Sequence, residues 1–447
     1  MTKLDFMKIE LKNIGTVEHA EIDLDKNLLV FCGPNNSGKT YVAYALYGMY
    51  EILKVSSDDI LEHWPQVEDH KEAIFKIKPE LVKSILKERG RTIIEEFGNL
   101  FASNQQFFSN SKVTIELGFE EGEISEKINS LIIKNGRQTI LSNHYTINKP
   151  KGSDSISIKN ENIPLNIIDD VGYVSANREN YTLIIKSLIK SLFFGHSFIA
   201  PAERIAINIF SKEVYLNRAG LLDSPITAKS RYSLPIAASL RVAEDLSFLE
   251  KTQSDYASIA KQIEDRILFG SISISPYGEM QFNPHKADIK GMSINLAGSM
   301  VKSLASVVFY FRHLAQKGDF IIIDEPELNL HPDNQIIMAR ILARIVNEGF
   351  KVLISTHSDY IISELNNLVR LNSRKEKAKK IMDKYGYEKE ELLDKDALGV
   401  YLFKDNIANS LEVDEFGFDI STIEKVNSDL AQTSESIYFD LFDKDDE

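Results

Sequence analysis

The chain predicts an α/β fold: a mixed sheet with flanking helices, carrying an antiparallel β subdomain and an inserted helical subdomain. Three apolar runs predict it. Leu28-Leu29-Val30-Phe31-Cys32 passes through the Gly-bearing loop Gly33-Pro34-Asn35-Asn36-Ser37-Gly38-Lys39-Thr40 into a helical stretch over 41–47. Phe320-Ile321-Ile322-Ile323 ends in the two acids Asp324 and Glu325, followed by Pro326. Lys351-Val352-Leu353-Ile354 ends in Ser355-Thr356-His357-Ser358. Short continuous apolar runs are the form of parallel strands buried on both faces, and ligand contacts gather at the carboxyl ends of such strands.

Taken in order, residues 7–25 alternate as two strands, Met7-Lys8-Ile9-Glu10-Leu11 and Ala20-Glu21-Ile22-Asp23-Leu24, joined through Gly15 into a hairpin that leads to the glycine loop. This closes an N-terminal part over 1–53. Residues 54–110 read as a helical insertion, with apolar residues at three-to-four spacing over 80–86 and 92–97, and Trp64 reads as packing. Residues 111–204 read as β-rich: 113–119 alternate and 148–153 form a surface loop. The run Ser197-Phe198-Ile199-Ala200 is a strand ending at Pro201-Ala202-Glu203-Arg204, either a ligand-facing strand end or a plain surface turn.

Residues 205–270 read as a helical arm or dimerisation insertion, broken at 218–220 and 229–231, with 235–268 long and amphipathic. Residues 271–405 return to the main unit. They begin with two strands turned at Pro276-Tyr277-Gly278, and continue into a helix opened by small residues near Gly298, with Ser299 as its N-cap. A tail over 406–447 holds a helix near 421–430 and an acidic end.

Strand, glycine loop and helix together are the setting of a phosphate-binding P-loop. Gly33 and Gly38 let the backbone approach a polyphosphate. The N–H groups of Pro34-Asn35-Asn36-Ser37 onward, apart from the proline, point at its oxygens, and the helix start favours negative charge. Lys39 then reaches the β- and γ-phosphates, and the Thr40 hydroxyl holds Mg²⁺. Two carboxylates at one buried strand end repel each other, which disfavours a purely structural pair. Opposite a P-loop they divide the labour: Asp324 in the Mg²⁺ shell, Glu325 orienting and deprotonating the attacking water. His357 sits where a hydrogen bond to the γ-phosphate or that water is in reach, because parallel order sets its strand beside that of Asp324.

Composition narrows the class further. At 447 residues the chain suits two or three lobes, and its 43% hydrophobic and 26% charged content is that of a water-soluble globular protein. No apolar run approaches the roughly 18 residues of a spanning helix, so a cytoplasmic protein is expected. The single cysteine, Cys32, reads as a small core residue. Fifty-two basic against 66 acidic residues give a net charge of −14, which argues against a protein coating nucleic acid with its whole surface. Residues 370–380 carry six bases against Glu376, either a solvated helix face or a patch for a DNA backbone or a partner.

The order of P-loop, small-residue helix start, Asp-Glu-Pro strand and Ser-Thr-His strand resembles the ATP-binding-cassette (ABC) ATPase heads of the SMC and RecF type, within the AAA-family ATPases. The string Asp324-Glu325-Pro326-Glu327-Leu328-Asn329-Leu330-His331-Pro332 is similar to the stand-alone branch found in prokaryotic anti-phage systems, among them the OLD, Gabija and Septu ATPases. The Asn35-Asn36-Ser37-Gly38 core and Leu11-Lys12-Asn13-Ile14-Gly15 fit the same group.

The resemblance implies ATP with Mg²⁺, two copies sandwiching the nucleotide, Gly298 and Ser299 completing the partner copy's site, and Leu330-His331-Pro332 at the dimer seam. It also implies a separately encoded effector such as a nuclease, since the 90 residues after His357 are too few for a nuclease domain. The chain departs from the family at the signature, with Ala297 for the usual serine and Ser299 for the second glycine. The Mg²⁺-coordinating glutamine is not identifiable; Gln105, Gln106 and the region of Pro201 are its candidates. Three other readings stay open: a RecF-like repair clamp on DNA, a transporter cassette, and a scaffold that holds ATP without hydrolysing it.

Overall fold

The computed structural model describes residues 7–52, 66–69, 72–118, 121–130, 133–140, 143–160, 180–181, 183–185, 187–188, 190, 195–210, 232–286 and 289–442. Trp64 and the breaks expected at 218–220 and 229–231 lie outside them.

The hairpin forms as β1 (Met7–Ile14) and β2 (Val17–Asp23), antiparallel, with Ile9, Leu11, Ala20 and Ile22 on one buried face. Strand β3 (Leu28–Cys32) is buried on both faces and feeds helix α1 (Lys39–Glu51). The central sheet has nine strands. Beside β3 it comprises β6 (Lys112–Leu117), β10 (Ser197–Ala200), β14 (Phe320–Asp324), β15 (Lys351–Thr356), β16 (Leu398–Lys404) and β17 (Ile407–Leu411). Their order is β10-β14-β15-β3-β16-β17-β2-β1-β6. From β10 to β16 every pairing is parallel, whereas β16–β17, β2–β1 and β1–β6 are antiparallel. The sheet is therefore mixed, as expected. The hairpin does not lie against the P-loop strand, because β16 and β17 insert between them.

Alternation along the strands divides the interior in two. Leu29, Phe31, Phe320, Ile322 and Leu353 face a core shared with α1. Leu28, Val30, Cys32, Ile321, Ile323, Val352 and Ile354 face the other, closed by α5 (Ala257–Ile263), α6 (Ser299–His313), α7 (Pro332–Asn347) and α8 (Asp359–Ser373). Each fully buried Leu, Ile or Phe contributes roughly 1.5–3 kcal/mol.

Two expectations are corrected. The range 54–110 is not purely helical. It holds α2 (Pro79–Glu95), but β4 (Gln66–Asp69) and β5 (Glu72–Lys76) join β7 (Ile133–Ile140), β8 (Asn143–Lys149) and β9 (Ser155–Asn160) in a five-stranded antiparallel sheet. Helix α3 (Glu121–Ser130) lies in the range 111–204 read as β-rich. The strand character of Ala73-Ile74-Phe75 comes from pairing with residues more than 80 positions away, which no local period reports. The stretch 235–268 is not one long arm either. It breaks into α4 (Leu234–Glu244), a single turn at Leu246–Leu249, and α5 ending in a π-helical turn at Glu264–Leu268. Ile259, Ala260, Ile263 and Ile267 are fully buried against α6 and the sheet, so this amphipathic face is core.

Strands β11 (Gly270–Ile274), β12 (Met280–Pro284) and β13 (Met292–Ser293) form a small antiparallel sheet turned at 276–278. Helix α9 (Lys375–Tyr385) carries the basic run, and α10 (Ser421–Phe442) is longer than the stretch expected at 421–430. No described helix is long and apolar enough to cross a membrane.

Cys32 is fully buried, and burial pushes its thiol up to about 12. In the native chain it should resist a thiol-specific disulfide reagent at pH 8 and react only after denaturation; modification within minutes under native conditions would show that β3 opens.

Candidate nucleotide site

Parallel order brings three strand ends to one edge. Cys32 pairs with Thr356 and Asp324 with Ser355, so the P-loop, the Asp-Glu pair and the Ser-Thr-His turn leave the sheet side by side. Strand β10 ends one position over, Ala200 against Ile323, and brings in Pro201-Ala202-Glu203-Arg204.

The loop is built on left-handed residues. Gly33 (φ 135°) and Gly38 (φ 95°) bracket it, and Asn36 (φ 60°) is a residue type that tolerates this region. Gly38 is the N-cap of α1 and provides no side-chain cap, so the first N–H groups of a thirteen-residue helix face the loop. Lys39 folds back over it. Its Nζ donates to the carbonyls of Gly33 (2.9 Å) and Pro34 (2.8 Å), with Ser37 Oγ at 3.5 Å. Burial draws its ammonium below the ordinary lysine range, against the opposing pull of Asp324 and Glu325.

The two halves of the expected site touch. Thr40 Oγ1 donates to Asp324 Oδ2 at 3.0 Å, across 284 residues of sequence. Ser355 Oγ donates to the other Asp324 oxygen, Oδ1. Glu325 sits at φ 51°, an uncommon conformation for a residue with a side chain. Its N–H donates to Ser355 O (3.0 Å) and Ser355 Oγ (3.2 Å). Burial raises the Glu325 carboxyl above the usual carboxylate range; the Asp324 charge adds to the rise, while His357 and Arg204 oppose it. A carboxylate displaced upward is a stronger base than a solvated one.

His357 is half-exposed with its ring Nδ1 3.8 Å from Glu327 Oε1. Glu327 was not singled out from sequence, yet it holds this turn: Oε1 accepts from Thr356 Oγ1 and from His357 N, both at 2.9 Å. Gln335 ties the same turn to the preceding loop, its Nε2 donating to Leu330 O and its Oε1 accepting from Ser358 Oγ. Arg204 is the other residue given no role of its own from sequence, where 201–204 read as either a ligand-facing strand end or a plain turn. Its place in the acid–base pair Glu203-Arg204 at a strand end was the available signal.

Gly298, not Ser299, is the N-cap of α6 and has no side-chain cap bond; Ser299 is the first helical residue. The cause is backbone geometry: Gly298 is already extended (φ −63°, ψ 158°) where the helix begins. Both residues are exposed. Gln105 is committed to its own loop, accepting from Gly98 N and donating to Ile94 O, both at 2.6 Å, and Gln106 is exposed.

The donors suit a hard divalent cation. Thr40 Oγ1 and Asp324 Oδ2 are oxygens already at contact distance. Among the described residues no group of three or more His, Cys, Asp or Glu forms an all-protein metal cage. The two oxygens fit Mg²⁺, which is held by one or two protein oxygens with substrate phosphate supplying more.

A glycine loop between a buried strand and a helix, contacting the acid that ends a parallel strand two places away in the sheet, defines a P-loop nucleotide-binding ATPase class. The chain belongs to the AAA ATPase domain family, whose model matches residues 7–362. No curated protein matches it. Among solved structures, an SMC head bound to the C-winged helix domain of ScpA aligns at TM-score 0.36 and 12% identity, covering 91% of this chain and 98% of that one. The SMC head domain from Thermotoga maritima aligns at 0.33 and 10%, with the same coverages. An SMC head with an extended coiled coil, bound to the C-terminal domain of ScpA and derived from Pyrococcus furiosus, aligns at 0.33 and 13%, covering 96% and 98%.

Proposed function

We propose that this chain hydrolyses ATP at sites formed between two copies and uses its nucleotide state to restrain or release a separately encoded effector, such as a nuclease, in anti-phage defence. The 3.0 Å contact of Thr40 with Asp324, with Glu325 next in the chain, carries the hydrolytic part of this reading. It sets the P-loop hydroxyl and the acidic pair at one point.

On nucleotide binding, Lys39 exchanges the carbonyls of Gly33 and Pro34 for phosphate oxygens, and the loop N–H groups from Asn35 to Thr40 donate to the remaining phosphate oxygens. Mg²⁺ held by Thr40 and Asp324 would neutralise charge developing on the transferred phosphoryl group. Glu325, deprotonated, orients a water in line and takes its proton. His357 reaches the same space from a turn fixed by Glu327.

Association of two copies draws support from Gly298. A Cβ there would meet no atom of the described residues within 4 Å and the φ is ordinary, so nothing among the described residues requires a glycine. Together with the exposed Leu296 and Ser299, it leaves the start of α6 open to another surface. The effector and the defence setting rest on the motif resemblance alone.

The test is native mass spectrometry of the chain expressed with the products of its neighbouring genes, with and without ATP, wild type against Lys39→Ala. An ATP-dependent dimer bound to a nuclease-like protein is expected. Lys39→Ala should weaken ATP binding by roughly 10- to 100-fold, the loss of charge-assisted phosphate contacts, and should remove the nucleotide dependence. A chain that dimerises with ATP yet binds no neighbour product would remove the effector from the reading.

One observation favours a second reading, an ATP-driven clamp on DNA. Lys377, Lys379, Lys380 and Lys384 all lie exposed on α9, whereas Arg370 and Arg374 are drawn to Phe416 O and Glu415. Duplex DNA that raises ATP turnover, with affinity falling steeply with salt, would select it.

A further inference from the structure

Arg204 is among the most deeply buried side chains described, 1% exposed, and all five of its hydrogen bonds run to neutral oxygens. Nη1 donates to Asp324 O (2.6 Å) and Pro201 O (3.1 Å), and Nη2 to Glu325 O (2.7 Å). Nε donates to both the carbonyl and the hydroxyl of Ser303, at 3.1 Å each. Ser303 lies one turn into α6, is fully buried, and its hydroxyl also donates to Leu328 O (3.2 Å) in the loop after Glu325. One guanidinium thus joins the exit of β10, the carbonyls of the last residue of β14 and the residue after it, and the first turn of α6.

The Glu325 backbone explains what this junction does. A glutamate at φ 51° persists only where its surroundings over-determine the conformation. Ser355 holds the N–H side. Arg204 holds the carbonyl side, together with Leu328 N at 3.0 Å. By gripping the carbonyls of Asp324 and Glu325 at once, the planar fork fixes the two peptide planes that flank the Glu325 Cα, and hence the direction in which the Cα–Cβ bond of Glu325 leaves the chain. A lysine, whose three donors sit on one nitrogen, cannot reproduce the five bonds that the guanidinium spreads over three nitrogens.

We propose that Arg204 is a positioning residue for Glu325, and that with Ser303 it forms the link by which the start of α6 sets the Glu325 carboxylate in the same chain. This rests on the reading of Glu325 as the base. A surface meeting the exposed Gly298-Ser299 end of α6 would then be felt at the chain's own acidic pair, one turn and one guanidinium away.

The experiment uses the full chain carrying Arg204→Lys or Ser303→Ala, each alone and combined with Glu325→Gln. ATP turnover is measured at saturating Mg·ATP, and binding with a fluorescent N-methylanthraniloyl ATP. Arg204→Lys should lower kcat at least about tenfold with the dissociation constant within about twofold, and Ser303→Ala should lower kcat by roughly threefold or more. In the Glu325→Gln background neither should lower the residual single-turnover rate further, since the carboxylate they orient is gone.

Unchanged kcat in the single variants overturns the proposal. So does an undiminished loss in the Glu325→Gln background, or a binding defect that accounts for the loss. Ser303→Ala removes one oxygen and leaves Arg204 on Ser303 O, so it decides the matter if Arg204→Lys does not fold. A Glu325→Gln variant that hydrolyses ATP normally would instead sink the assignment of the base, a distinguishable result.

Discussion

Glu325→Gln should lower ATP turnover by about 10²- to 10⁴-fold, the span of a positioned general base, while leaving ATP bound and two copies held together. The amide keeps the shape of the side chain and removes its charge and its capacity to take a proton. Gel filtration with light scattering in ATP reads the trapped dimer, and phosphate release reads turnover; a variant that still turns over at the wild-type rate excludes Glu325 as the base.

The wild-type pH profile carries a linked signature. Burial, with the Asp324 charge second, raises the Glu325 carboxyl, and the base works only when ionised. kcat should therefore rise with pH through a midpoint above the ordinary carboxylate value of about 4.3. The stability sign follows from linkage. The folded chain holds this proton more tightly than the unfolded one, so the contribution is present at acid pH and is lost as pH rises through the folded value. Glu325→Gln should gain stability relative to wild type on going from acid to neutral pH, seen as a pH-dependent change in the difference between their thermal midpoints.

The largest stability effect should come from Gly33→Ala. The residue stands at φ 135°, and a Cβ built on it would lie 2.3 Å from the backbone oxygen of Phe403. Strain and clash oppose the substitution together, because that oxygen belongs to β16, the parallel neighbour of β3. A loss of roughly 2–4 kcal/mol is expected, with loss of nucleotide binding, measured by chemical denaturation and by titration with ATP. Gly38→Ala at φ 95° meets the Val17 side chain at 2.2 Å and should behave similarly, with some relief from side-chain movement. Gly298→Ala is the control. In open space at an ordinary φ, it should change monomer stability by less than about 0.5 kcal/mol. Wild-type-like stability in Gly33→Ala would mean that the loop relaxes away from β16.

Much of the site was legible because its elements are local. Strand β3, its glycine loop and α1 are contiguous, and continuous burial of 28–32, 320–324 and 352–356 follows from apolar runs too short to be helices. The positions of Asp324 and His357 relative to the loop followed from parallel order alone. Less legible were features whose cause lies elsewhere in the chain. Strand β5 exists through its pairing with β9, and the face of α5 that suggested an arm is covered by α6. The α6 cap was misplaced by one residue because the choice between Gly298 and Ser299 is made by a backbone angle.

The sequence by itself determined the α/β class, the phosphate loop, the acidic strand end and the chemistry these residue types can perform, since each depends on residues within one strand, loop or turn. Tertiary structure alone decided which strands separate β3 from β2, and that Glu327 fixes the histidine turn. It also decided that a buried Arg204 grips the carbonyls of both acids and the first turn of α6. Those contacts join residues 30 to more than 300 positions apart, and only the folded sheet brings their hydrogen-bonding groups within reach.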